Sequence, residues 1–288
     1  MASSPRARAM RQGAIDLEDV TLVFGSGANA VVALENLSLH VEPGELLAIL
    51  GPSGCGKSSL VSTIAGFHPP HGGSLLVDGA VVSRPGSDRG VVFQQPTLFP
   101  WKSVRENVDF GLRLRKVQRR ERRAILEEIL HKVGLSEFTS HYPTQLSGGM
   151  QQRVGLARVL VNRPRVMLMD EPFGSLDAQT RLQMQELLLD VWNEFRMTIL
   201  FVTHDIDEAI FLGSRVAMLT RRPGRLKTII DVALRRPRSL DVLVSPEFML
   251  LKRNCMALLR EETVGTDRNQ EIRPRLEASR QQPRVGEP

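Results

Sequence analysis

The chain has 288 residues, 42% of them hydrophobic and 24% charged, with a formal net charge of +6. That balance belongs to a globular protein with a core and excludes a disordered or fibrous chain; no apolar run approaches the ~20 residues of a membrane span. Two cysteines, Cys55 and Cys255, make no disulfide framework and fit a reducing compartment, while the mildly basic balance is compatible with lipid, nucleic acid or nucleotide without choosing among them.

Residues 1–12 carry Arg6, Arg8 and Arg11 without an acid. They read as a flexible basic tail, and with no apolar stretch following they are not a secretory signal. Residues 14–24 and 31–41 alternate apolar and polar positions, as strands do, around a glycine-bearing turn at 25–30. The short apolar run 45–50 predicts a buried strand. Residues 57–66 have helical spacing, with Leu60, Ile64 and Phe67 on one face. Strands follow at 74–77 and 90–93. Helical periodicity over 104–114, 119–133 and 149–161 predicts a helical insertion spanning about 96–162. Strand and helix then alternate through 166–169, 178–195, 198–202, 206–211 and 215–219, which predicts a parallel sheet with helices on its faces. The main domain is therefore expected over 13–235, a helical extension over 236–261 with its helix near 246–260, and a disordered polar tail over 262–288.

The strongest local signal is Gly51-Pro52-Ser53-Gly54-Cys55-Gly56-Lys57-Ser58. It fits G-x-x-x-x-G-K-[ST] between an apolar strand and a helix, the context that a phosphate-binding loop needs. Glycines let the backbone turn its N–H groups onto an anion, and the following helix presents its positive end to the same place. Lys57 is expected to reach the β- and γ-phosphates and the Ser58 hydroxyl to ligate Mg²⁺. The nucleotide-binding stretch runs on to Ser59. Cys55 reads as a small residue that fits the loop, although a thiol at a helix start can be acidified.

Downstream, Val166-Met167-Leu168-Met169 ends in Asp170 and Glu171. In a P-loop NTPase such a carboxylate holds Mg²⁺, which points to Asp170. Glu171 then becomes the general base that polarises the attacking water. Thr203-His204-Asp205 closes another apolar strand, where ligands of open α/β sheets bind, and His204 is placed to hydrogen-bond the γ-phosphate.

Between these sites lies Leu146-Ser147-Gly148-Gly149-Met150-Gln151-Gln152-Arg153. It offers a serine and glycine amides at a helix start, a second anion site. It resembles the signature sequence of ABC-type ATPases. The resemblance implies a P-loop NTPase (RecA-like) α/β core with a mostly parallel sheet, an N-terminal antiparallel β subdomain and a helical subdomain. It also implies ATP and Mg²⁺ as cofactors. Its dimer is head-to-tail, Ser147, Gly148 and Gly149 of one copy facing the nucleotide held by Lys57 of a second copy. Phe24 matches the aromatic that stacks on adenine, where tyrosine is more usual. Gln94 matches the glutamine that touches Mg²⁺ or water, Asp177 the loop that crosses the dimer, and His204 the switch histidine. Six motifs occur in order over roughly 15–235, and Met150 in place of glutamine removes no catalytic group.

A finer resemblance, carried by Arg89-Gly90-Val91-Val92-Phe93-Gln94, Leu98-Phe99-Pro100-Trp101 and Arg222-Pro223-Gly224-Arg225, is to the nitrate/sulfonate/taurine importer branch. The lead-in Pro85-Gly86-Ser87-Asp88 looks most like taurine-import ATPases. The implied protein is a peripheral ATPase on the cytoplasmic face of the inner membrane. It works with integral permease subunits and, through them, a solute-binding protein; nitrate and bicarbonate are the alternative solutes. The apolar stretch 95–101 is a permease-docking surface if exposed, or filling for the join between core and insertion. Arg113–Arg123 reads as a solvated face, since it lacks the interleaved aromatics of a nucleic-acid platform. Met184, Leu188 and Trp192 read as core. A soluble ABC ATPase acting on ribosomes or DNA is disfavoured by the single cassette without sustained heptads. A P-loop kinase is disfavoured by Ser147 and His204.

Overall fold

The computed structural model describes residues 12–279. All but Gln12 of the expected basic tail, and residues 280–288, lie outside the described residues. Two sheets are built from ten strands: β1 (Ile15–Phe24), β2 (Val31–Val41), β3 (Leu46–Leu50), β4 (Gly72–Val77), β5 (Ala80–Val81), β6 (Arg89–Phe93), β7 (Val166–Asp170), β8 (Thr198–Thr203), β9 (Arg215–Leu219) and β10 (Leu226–Asp231). The helices are α1 (Lys57–Ile64), α2 (Val104–Leu114), α3 (Arg119–Lys132), α4 (Gly148–Leu160), α5 (Ala178–Phe195), α6 (Ile206–Leu212) and α7 (Pro246–Ser279).

The small sheet is antiparallel in the order β2-β1-β4-β5, and the large one runs β10-β9-β3-β8-β7-β6. Within the large sheet only the β9–β10 pair is antiparallel. This is the expected α/β architecture. Apart from Asp170, Thr198 and Thr203 at their ends, the central strands β3, β7 and β8 are apolar throughout, because both of their faces are covered, as parallel sheets require. Leu47 and Ile49 of β3, with Leu168 of β7 and Leu200 of β8, face the small sheet and α1. Leu46, Ala48 and Leu50, with Met167 and Phe201, face the helices α2 to α7. The period-2 alternation of a strand thus separates two cores. Met184, Leu188 and Trp192 of α5 are buried in the second.

Three expectations are corrected. Helix α1 stops at Ile64, so Phe67 lies past it and is exposed. Gly66 at φ +83° ends the helix; its N–H donates to Thr63 O and that of Phe67 to Ser62 O, the paired bonds of a left-handed C-terminal cap. Strand β10 and the two-residue β5 lie in stretches where no strand was expected. Finally, α7 runs to Ser279, through much of the 262–288 segment expected to be disordered. Its first turns are anchored by the buried Phe248 and Cys255, and lengthening a nucleated helix is far easier than starting one.

Candidate nucleotide-binding site

Strand register gathers the site. Leu50 of β3 pairs with Thr203 of β8, Val202 of β8 with Asp170 of β7, and Asp170 with Phe93 of β6. Adjacent strands stand about 4.8 Å apart, so Gly51, His204, Glu171 and Gln94, each just past a strand, fall along one edge. Their spacing in sequence exceeds 150 residues, and only the parallel topology brings them together.

The turn after β3 is shaped by Gly54 at φ +73° and Gly56 at φ +105°. A side chain at Gly56 would place its Cβ 2.7 Å from Ala33 O, so that position also needs glycine for space. Gly56 starts α1 without any side-chain cap, leaving the first amides of the helix available to an anion. Lys57 is buried, and its ammonium donates to Gly51 O at 2.9 Å and Pro52 O at 3.1 Å. The same Nζ lies 3.7 Å from Glu171 Oε1. Ser58 Oγ donates to Asp170 Oδ1 at 3.0 Å. Ser53, Gly54, Gly56, Lys57, Ser58 and Ser59, with Glu171 and Arg222, line a cavity of about 190 Å³.

Glu171 holds a left-handed backbone at φ +46°, which costs a non-glycine residue about 1–2 kcal/mol. Its N–H donates to Val202 O at 2.9 Å and its carbonyl accepts from Gly174 N–H at 3.2 Å, and these bonds hold the turn. The conformation aims one carboxylate oxygen at Lys57 and the other at His204, whose Nδ1 is 2.9 Å away. An ionised carboxylate only accepts, so the imidazole donates from Nδ1. Burial raises the Asp170 carboxyl above its ordinary value, and the neighbouring Glu171 charge adds to this; the Ser58 hydrogen bond and Lys57 oppose it. Burial likewise raises the Cys55 thiol despite Lys57 nearby, so the cysteine is an inert filler here.

Gln94 belongs to the same edge: a Cβ on Gly174 would meet its Nε2 at 3.3 Å. Phe24 stands at the end of β1, edge-on to His68 with centroids 5.4 Å apart, past the C-terminal end of α1. Ser147, Gly148, Gly149 and Asp177 form a separate cluster. Ser147 caps α4 by accepting from Met150 N–H. Asp177 caps α5 by accepting from the N–H and hydroxyl of Thr180 at 3.0 and 2.7 Å, bonds that hold its carboxyl below the ordinary range. The two caps touch: a Cβ on Gly149 would lie 2.4 Å from Thr180 Cγ2. Among the described residues, no hydrogen bond or ion pair joins this cluster to Lys57 or Ser58. The Ser147 cluster and the phosphate loop are thus held by separate hydrogen bonds.

Oxygen donors at Ser58 and Asp170, with Gln94 beside them, suit a hard divalent cation that takes its remaining ligands from phosphate and water. Among the described residues no group of three or more His, Cys, Asp or Glu is placed to hold a metal by itself. Arg222, a cavity-lining residue, is legible in the sequence only as part of a branch motif. It lies 165 positions from Lys57, and no local pattern places it here.

The segment 95–101 divides between the two readings given above. Leu98 packs on the core, and Phe99 is fixed through its N–H donating to Asn107 Oδ1 at 2.9 Å. Trp101 remains 69% exposed. Among the described residues no helix is long and apolar enough to cross a membrane. Asp109, four residues before the basic run, is buried between Arg113 and Arg122 at 2.5 and 3.1 Å, so part of that run pairs with an interior carboxylate.

The profile of the family described as ABC transporter matches residues 34–174. The chain is 50% identical over 230 residues to a taurine import ATP-binding protein of Chromobacterium violaceum, covering 78% of this chain and 88% of that protein. It is 43% identical over 260 residues to a nitrate import ATP-binding protein of Synechocystis, covering 88% and 98%. Its fold is similar to that of a dimeric ATP-binding cassette in a post-hydrolysis state bound to ADP and phosphate, with a TM-score of 0.68 and 32% identity, covering 77% of this chain and all of the other.

Proposed function

The chain belongs to the ABC transporter family as an ATP-hydrolysing cassette, and from this we propose that it energises import of taurine or a related sulfonate through a separate membrane permease. The observation that carries the reading is the bridging position of Glu171, one oxygen toward Lys57 and the other toward His204, at the mouth of the phosphate loop. That is where a general base must stand to take a proton from water attacking the γ-phosphorus. Lys57 spreads the charge that develops as the bond from phosphorus to the bridging oxygen breaks. His204 fixes the carboxylate rotamer through its Nδ1 and places its ring on the γ-phosphate side. Ser58, Asp170 and Gln94 would hold Mg²⁺, which would neutralise phosphate oxygens when bound. Phe24 stacks on the adenine.

Two copies complete each other. Ser147, Gly148 and Gly149 of one copy meet the nucleotide of the second, with Asp177 beside the seam. That no hydrogen bond or ion pair among the described residues joins the Ser147 cluster to Lys57 within one chain is consistent with this. Contacts to the γ-phosphate then exist only in the closed dimer, and hydrolysis removes them. The exposed Trp101 supports docking of a permease segment there. A solute-binding protein would act on the permease from the other side of the membrane, with this subunit peripheral on the cytoplasmic face.

The solute is read from kinship alone, because an ATPase subunit meets no solute. The taurine reading rests on the 50% identical relative and the nitrate alternative on the one spanning more of both chains. The test is uptake of taurine, an alkanesulfonate, nitrate and bicarbonate in cells lacking the gene, before and after it is restored. Loss and rescue of taurine or sulfonate uptake is the expected result. Loss of nitrate uptake alone would move the assignment to the second solute.

A further inference from the structure

Lys57 and Glu171 carry opposite charges into the cavity, and Lys57 already donates to two carbonyls. Arg222 is the remaining charged group lining it, so a polyphosphate entering the cavity meets Lys57 and Arg222 as its two side-chain cations. A guanidinium is always charged and matches phosphate oxygens with two parallel N–H donors. No hydrogen bond or ion pair among the described residues occupies that of Arg222.

The loop that carries Arg222 is pinned on both sides. Downstream, Gly224 N–H donates to Ala33 O at 2.9 Å and Gly224 O accepts from Glu35 N–H at 3.1 Å. A Cβ on Gly224 would lie 2.2 Å from Cys55 O, so this side of the loop rests directly on the phosphate loop. Upstream, the N–H of Arg221 donates to Glu262 Oε2 of α7 at 3.0 Å. The other oxygen of Glu262 accepts from Lys227 Nζ at 2.7 Å, and Lys227 also donates to Leu258 O and Glu261. Arg222 thus stands between one anchor on the phosphate loop and one on the C-terminal helix.

We propose that Arg222 is a second cationic contact to the nucleotide phosphates, and that Glu262 of α7 is the positioning residue that holds it there. The inference rests on the cavity being the nucleotide site, and it gives α7 a role in nucleotide affinity.

The test uses the purified full chain, with Kd for ATP and steady-state hydrolysis measured together. Arg222→Ala is expected to raise Kd and KM for ATP about tenfold, the scale of one lost charge-assisted contact, with kcat changed less than threefold; Arg222→Lys should recover part of the loss. Glu262→Gln should raise KM about threefold in the wild-type background and leave it unchanged in the Arg222→Ala background, since the two act through one contact. A Kd for ATP in Arg222→Ala within twofold of wild type would overturn the contact. An equal effect of Glu262→Gln in both backgrounds would overturn the positioning role, because general destabilisation would act without regard to Arg222. Lys57→Ala keeps the premise separate: if it binds ATP as wild type does, the cavity is not the nucleotide site, whatever Arg222 does.

Discussion

His204 Nδ1 stands 2.9 Å from Glu171 Oε2, across 33 positions of sequence. The pair joins the ends of neighbouring strands β8 and β7, and the second oxygen of Glu171 turns to Lys57. The arrangement separates holding nucleotide from splitting it. Glu171→Gln keeps the shape but cannot take a proton. It is expected to lower kcat at least 100-fold, within the range of a lost general base, while ATP binding stays within threefold of wild type and an ATP-bound dimer accumulates. His204→Ala should lower kcat comparably. Single-turnover hydrolysis and size-exclusion chromatography with ATP check both; hydrolysis at the wild-type rate in Glu171→Gln would remove the base role.

The caps at Ser147 and Asp177 make a sharper test. A Cβ on Gly149 would approach Thr180 Cγ2 to 2.4 Å, whereas the next nearest atom, Thr180 Cβ, is 3.8 Å away. Gly149→Ala is therefore expected to displace Thr180, release the Asp177 cap, and reduce ATPase activity at least tenfold with ATP affinity of the monomer unchanged. Thr180→Ser removes the clashing methyl and keeps the hydroxyl that binds Asp177. The double variant should regain most of the activity. Failure of Thr180→Ser to restore any activity would show that the loss has another origin.

Much of this site is legible in the sequence because its chemistry is local. Gly51–Ser58 carries its own strand, turn and helix, and Asp170 and Glu171 end an apolar run. The α/β alternation is legible because β3, β7 and β8 are buried on both faces and so read as unbroken apolar segments. What escapes is non-local. Gly149 is a glycine for Thr180's sake, 31 positions on, and Arg222 faces the loop only because Gly224 seats on Cys55 O. Strand β10 escapes because its residues are all partly exposed and none is fully buried, which leaves no periodicity to read. The end of α7 escapes because the polar residues past Arg260 resemble a tail, while the helix preceding them is already nucleated.

Arg238 links the site to the body of the fold. It is buried, and its guanidinium donates to the carbonyls of Ile210, Phe211 and Gly213 at 2.8–2.9 Å and of Val232 at 3.3 Å. These close the C-terminal end of α6, the helix that begins just after His204. Burial and the neighbouring Arg236 bring its pKa down to about 9, still charged at neutral pH. Arg238→Leu leaves several buried carbonyls unpaired, each costing about 1–3 kcal/mol, so a net loss of about 3 kcal/mol is expected. For a chain this size that lowers Tm by roughly 6–12 °C. Calorimetry of the two proteins checks it; a Tm within 2 °C of wild type would show that water or a rearranged side chain takes over the capping.

Glu208, in the first turn of α6, gives a pH dependence with a definite sign. Its carboxylate is buried and accepts from Thr203 Oγ1 at 2.6 Å and Gln185 Nε2 at 3.1 Å. Burial raises its pKa above 4.5 and the Asp205 charge adds to the rise, against the two hydrogen bonds and Arg181. Between the unfolded value and the raised folded value the native state therefore holds more protons than the unfolded chain, and stability falls as pH rises through that window. Above the folded pKa the full cost of a buried anion is present. Glu208→Gln removes the charge and keeps an acceptor for Thr203. The variant should lose this part of the decline in Tm with rising pH and should be the more stable protein above the window, relative to its rank at low pH. Melting curves from acid to neutral pH decide the matter: parallel profiles for the two proteins would mean that Glu208 ionises in the fold as freely as in the unfolded chain.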